Sequence, residues 1–154
     1  MTDGTCQQLT RNNMKYFTIK ELCKSETARR NGIDNTPSKQ IEQNLGRLID
    51  TILDRIREEY GSAIRVSSGY RCKLLNSLVG GAKNSQHLYG EAADLVPVDG
   101  NTRRLFDICK KLMDEGVIEC GQLIWEYGDK NSPKWVHISL PNTRHHNEVK
   151  YIFK

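Results

Sequence analysis

Most of what would place this chain in a special class is missing from it. No run approaches the roughly 20 apolar residues of a membrane-spanning helix, so membrane insertion is not expected. Met1 to Thr10 are polar and lack the apolar core of a signal peptide, so synthesis as a soluble cytoplasmic chain is expected. No CxxC pair occurs among the five cysteines, Cys6, Cys23, Cys72, Cys109 and Cys120. Their odd number and wide spacing disfavour a disulfide framework and a thiolate metal site, and point to free thiols in a reducing compartment. Aromatic residues are sparse at 7%, and apolar residues make up only 37%. The charge balance is mild: 23 basic against 19 acidic residues leave a net +4. The basic residues are dispersed, so no nucleic-acid footprint is expected. There is no internal repeat, no low-complexity segment and no linker between two domains.

What is present is periodic. After a polar tail over residues 1–15, residues 16–154 are expected to form a single domain, a size sufficient to bury one core. Thr18-Ile-Lys-Glu21 matches a capping box, which predicts a helix from Ile19 to about Arg29. Thr36-Pro37 predicts a cap and first turn for a long amphipathic helix with Ile41, Leu45, Leu48, Ile49, Ile52, Leu53, Ile56 and Tyr60 on its buried stripe, ended by Gly61. A second amphipathic helix is expected over Asn101 to Glu115, with Cys109 packed in the core. Strands are expected over Ala63–Ser67, Ala92–Val96, Gln122–Tyr127 and Trp135–Leu140, with an edge strand near Lys150–Phe153. Cys72 to Leu78 is expected to form a short helix, and Lys83 to Tyr89 a loop. Helices first and clustered strands later predict an α+β domain whose small sheet is mostly antiparallel.

Candidate chemistry lies in Ser85-Gln-His-Leu-Tyr-Gly-Glu-Ala-Ala-Asp94 and Trp135-Val-His-Ile-Ser139. His87, Asp94 and His137 supply two imidazoles and a carboxylate. Three protein ligands and a water are the usual set of a catalytic zinc site. Alternation turns Asp94 away from Ala93 and Leu95, and His137 away from Val136 and Ile138. If the two strands are neighbours, Asp94 and His137 meet across the sheet, and His87 folds back from the loop before Gly90. A hairpin through residues 128–133 would bring Glu126 near His137, where a carboxylate beside a metal-bound water serves as general base. On alternation and residue types alone, a metal site and a set of ordinary core and surface residues stay open side by side. Glu126 and Arg71 taken singly are ordinary solvated residues, and His145-His146 an exposed polar loop.

The order Ser67-Ser-Gly-Tyr-Arg71, Leu75-Asn76, Gly80-Gly-Ala82, SxHxxGxAxD over Ser85–Asp94 and WxHxS over Trp135–Ser139 resembles the M15 family of zinc D-Ala-D-Ala carboxypeptidases and L-Ala-D-Glu endopeptidases. It is most similar to the compact branch found in bacteria and in phage lysis or tail proteins. Phe17-Thr-x-x-Glu-Leu22, Ser25-Glu-Thr-Ala28 and Gly32-Ile-Asp-Asn35 extend the likeness, which runs from about residue 16 to 140. The resemblance implies the fold shared with the Hedgehog signalling domain and Zn2+ held by His87, Asp94 and His137. It also implies that Arg71 and Ser85 lie in the substrate groove. Several members carry a catalytic carboxylate just before the last histidine, whereas this chain has Ser132-Pro133-Lys134 there. Glu126 is the acid found at this place in the compact branch, and Asp129 is the reserve.

The function this implies is zinc-dependent hydrolysis of peptidoglycan stem peptides by a monomer, with Glu126 as base and Arg71 on a substrate carboxylate or the developing oxyanion. Such a chain acts on the cell wall once released, and a mildly positive charge favours its approach to an anionic wall. The alternative is a zinc-containing binding module of the same fold that recognises wall peptide or a partner without cleaving it.

Overall fold

A computed structural model describes residues 14–153. Residues 1–13, which include Cys6 and most of the expected tail, lie outside the described residues. Lys15 and Tyr16 are already tied down, their backbone N–H groups donating to the Asp54 carboxylate at 2.7 and 3.1 Å.

The first expected helix is two. Helix α1 spans Ile19–Cys23 and α2 spans Glu26–Arg30. Thr18 caps α1 by accepting from the Glu21 amide at 3.1 Å, as its motif predicts. Lys24 is extended, and Ser25 starts a new helix by accepting from the Ala28 amide at 3.1 Å. A second capping side chain at Ser25 makes the break favourable, because it satisfies an amide that the first turn of a helix leaves free.

The long helix is present, with two corrections. Its cap is Ser38, whose hydroxyl accepts from the Ile41 amide at 3.3 Å, so that α3 spans Lys39–Leu48. The Thr36 hydroxyl is instead committed to the Asp34 carboxylate at 2.6 Å. After α3 the rod passes through a π-helical turn, Ile49–Leu53, before continuing as α4, Asp54–Tyr60. The wider turn lets Leu48, Ile49, Ile52 and Leu53 all reach the core, each fully buried. Gly61, at φ 82°, ends the rod in the left-handed conformation that glycine tolerates best.

Strand β1 is Ile64–Ser68, α5 is Lys73–Leu78, β2 is Ala92–Pro97, α6 is Thr102–Asp114, β3 is Gln122–Glu126, β4 is Trp135–Ser139 and β5 is Glu148–Ile152. The sheet order is β1-β2-β4-β3-β5, antiparallel except for the β3–β5 pair. This is the expected α+β architecture. The edge strand begins before Lys150, because Asn147 clamps Cys120: its amide donates to the Cys120 carbonyl at 2.6 Å and its side chain accepts from the Cys120 amide at 3.0 Å.

One core fills the space between the helices and one face of the sheet. Ala93, Leu95, Leu123, Trp125, Val136 and Ile138 join Leu45, Ile52, Ile56, Leu105 and Phe106 in it. Phe106 meets Trp125 edge-on at 5.2 Å between ring centroids. Cys109 is fully buried there, as expected, and Cys23, Cys72, Cys109 and Cys120 are all free thiols. No helix among the described residues is long and apolar enough to cross a membrane.

Candidate metal centre and its groove

β2 and β4 are neighbours, and their register sets Asp94 directly opposite His137. Both side chains leave the apolar face of their strands, so the sheet holds them without any loop being involved. Asp94 Oδ1 lies 3.0 Å from His137 Nδ1 and 3.3 Å from His87 Nε2.

His87 reaches the pair from a 3₁₀ turn, Gln86–Tyr89. Ser85 opens that turn by accepting from the His87 amide at 3.2 Å, and Gly90 closes it at φ 69°. A side chain at Gly90 would also run into α3, its Cβ falling 2.7 Å from Ile41 Cγ2. The ring is oriented by a contact 18 residues away in sequence, His87 Nδ1 to the Gly69 carbonyl at 2.7 Å. A carbonyl only accepts, so Nδ1 carries the proton and the Nε2 lone pair faces Asp94. Gly69 is itself pressed against α1, where a Cβ would fall 2.1 Å from the Leu22 carbonyl oxygen.

His87, Asp94 and His137 are all buried, and their ligand atoms lie within 4.8 Å of one another. Burial alone would push the Asp94 carboxyl up. The two neighbouring imidazoles outweigh it and hold the group below the usual carboxylate range. Two imidazoles and one ionised carboxylate are a donor set that can hold a divalent metal ion.

Glu126 ends β3 opposite Trp135, while Ile124 is the direct neighbour of His137. It lines the same groove as the three candidate ligands. Burial raises its carboxyl, His137 lowers it, Asp94 raises it and Arg71 lowers it, with a net upward shift. Asp129 does not line the groove. Its carboxylate accepts from the amides of Asn131 and Ser132 at 2.7 and 3.1 Å and so serves the β3–β4 turn.

Arg71 lies on the groove wall with a side chain 16% exposed and Nη2 3.6 Å from Asp94 Oδ2. Two residues to which sequence reasoning assigned no role fix its guanidinium. Nε donates to Ser68 Oγ at 3.0 Å and Nη1 to Asn76 Oδ1 at 3.2 Å. Asn76 is buried, donates to the Ala82 carbonyl at 3.0 Å, and needs Gly81 beside it, where a Cβ would fall 2.0 Å from Oδ1. Asn76 followed by Gly80-Gly81 was the signal the sequence offered. Ser85 lines the groove as well as capping the turn. His145, expected in an exposed loop, also lines it and bonds Glu148 at 2.6 Å through Nδ1, while His146 pairs with Glu119 elsewhere.

The groove has a volume of about 1120 Å³. A small α+β domain with a buried His–Asp–His cluster on the wall of a groove belongs to the class of proteins that can set a metal ion against a bound ligand. The family follows from comparison: residues 15–139 match the model of Peptidase M15, and the chain belongs to that family. No curated protein gives a significant match. The family match includes Arg71, His87, Asp94, Glu126 and His137, and ends before β5.

Proposed function

We propose that the chain is a zinc-dependent peptidase that hydrolyses the stem peptides of peptidoglycan. The observation that carries this reading is the convergence of His87, Asp94 and His137 beside Glu126 in one groove of a Peptidase M15 chain. The three side chains would hold Zn2+, which when bound supplies an acidified water and a Lewis acid for the scissile carbonyl. The Gly69 carbonyl keeps the His87 proton on Nδ1, so that Nε2 stays available as a donor. Glu126 takes a proton from the water and returns it to the departing amine. Its half-buried position raises its basicity while the nearby cations keep it ionisable. Arg71, held by Ser68 and Asn76, presents a fixed guanidinium to a substrate carboxylate or the developing oxyanion. Ser85 acts through the turn that carries His87.

Stem peptides are extended and rich in free carboxylates, which suits a groove with cations on its walls. The substrate lies outside the membrane, so the chain acts on the wall once released, as a monomer. The second reading, a binder that does not cleave, draws on the absence of an acid at Ser132-Pro133-Lys134. One experiment separates the two: incubation of the zinc-loaded protein with purified muropeptides, followed by mass spectrometry. New amine-bearing fragments, lost on chelation, are expected. Retention of muropeptides without products overturns the peptidase reading.

A further inference from the structure

One wall of the groove is built by residues that the family match does not cover. The match ends at Ser139, the last residue of β4. Beyond it, Asn142, Thr143, Arg144, His145, Lys150 and Ile152 all line the groove. The segment is firmly held. Gln86, in the turn that carries His87, donates to the Leu140 carbonyl at 3.0 Å. Asn142 Oδ1 accepts from the amides of Arg144 and His145, each at 2.8 Å, and the Asn147 clamp on Cys120 leads into β5.

Register places this wall relative to the metal ligands. Asp94 is opposite His137, His137 opposite Ile124, and Ile124 opposite Lys150. All four line the groove, so one cross-strand row carries two candidate ligands, an apolar residue and an ammonium. Neighbouring strands lie about 4.8 Å apart, which sets Lys150 two steps, about 10 Å, from His137. An extended peptide rises about 3.3 Å per residue, so that distance spans about three residues. A peptide that crosses the strands with its scissile bond at the cluster therefore passes over Ile124 and brings a group about three residues away to Lys150.

The chemistry at Lys150 favours an anion. Glu148, on the same strand, is spent within the wall: Oε1 lies 3.2 Å from Lys150 Nζ, and Oε2 lies 2.6 Å from His145 Nδ1 and accepts from Gln122 Nε2 at 3.4 Å. An ammonium has three N–H donors, so the exposed Lys150 keeps two for a ligand. Arg144 adds an exposed guanidinium that makes no ion pair among the described residues. The groove acid Glu126 stands one row over, opposite Ile152.

We propose that Lys150, with Arg144 on the same wall, is a specificity-determining residue that binds a branch carboxylate of the stem peptide, one away from the chain terminus. Two carboxylates fit that chemistry. Counted from a D-Ala–D-Ala bond, the third residue is the γ-linked D-Glu with its free α-carboxylate. Counted from an L-Ala–D-Glu bond, the second residue is diaminopimelate, whose side-chain carboxylate extends the reach. Ile124 gives the stretch between the cluster and Lys150 an apolar floor. This inference rests on the peptidase reading above.

The test uses the zinc-loaded full chain and three synthetic stem pentapeptides of the diaminopimelate type, all with a free C-terminus. One keeps every carboxylate, one is amidated at the D-Glu α-carboxyl, and one at the diaminopimelate side-chain carboxyl. One of the two amides should show a KM about tenfold above the parent peptide with kcat nearly unchanged, since a hydrogen bond to a charged group contributes at that scale. Which amide does so identifies the carboxylate. Lys150→Met should raise KM for the parent peptide to the level of that amide and abolish the discrimination, and Lys150→Arg should restore most of it. Equal KM for all three peptides, or discrimination that persists in Lys150→Met, overturns the proposal while leaving a peptidase in place. No cleavage of any of the peptides, or of muropeptides, overturns the peptidase reading on which it rests.

Discussion

On β2, Ala93 and Leu95 turn into the core and are fully buried, while Asp94 between them turns to the groove. On β4, Val136 and Ile138 flank His137 in the same way. Backbone, register and neighbours are shared, and only the side of the pleat differs. One face is apolar and closed by helices, and its residues contribute through area removed from water. The other carries ionisable groups whose cost of burial is offset by one another: Asp94 by two imidazoles, and Arg71 by Asp94, Ser68 and Asn76. A substitution on the first face should register in stability, and one on the second in chemistry.

The sharpest separation is expected on the groove face. His87→Ala should abolish zinc retention, read by metal analysis after gel filtration, and with it all hydrolysis. Glu126→Gln should keep the metal and the melting temperature, yet lower kcat by about 10²–10⁴-fold, the range of general acid–base catalysis. Wild-type activity in that variant would return the base to another group. On the core face, Leu95→Ala should cost about 2–5 kcal/mol in urea unfolding with zinc content unchanged. Loss of metal at equal stability would show that the two faces are not independent.

A finer test uses pH. The Asp94 carboxyl is held below its ordinary range in the folded chain. Its contribution to the metal-free protein is therefore fully present above the unfolded value of about 3.9 and fades as pH falls below it. Asp94→Asn should be less stable than the parent at pH 5, and the gap should close towards pH 2 in urea titrations. A gap that stays constant over that range contradicts the pairing. Ser25→Ala should have the smallest effect, about 1 kcal/mol, by removing the cap that starts α2.

Period was the part of the fold that could be read directly. Alternation in Ala92–Leu95 and Trp135–Leu140 gave Asp94 and His137 their direction, and the register then set them face to face. The break at Lys24–Ser25, the Ser38 cap and the π turn were not legible, because each depends on which of several nearby hydroxyls or carbonyls a backbone amide finds. The position of His87 was legible only as a motif. No periodicity in Lys83–Tyr89 says where its ring points, since a carbonyl at Gly69 and a close approach of Leu22 decide it. The roles of Ser68 and Asn76 escaped for the same reason.

By itself the sequence determined which residues could be donors, which face of each strand they take, and the family to which their order belongs. Side-chain period and residue chemistry are local properties, carried by the chain whatever surrounds it. Only the tertiary structure decided that the donors converge, which imidazole nitrogen faces inward, that Glu126 rather than Asp129 lines the groove, and that Lys150 joins the row of Asp94 and His137. Those outcomes depend on contacts between segments far apart in sequence, and close packing admits only one arrangement of them.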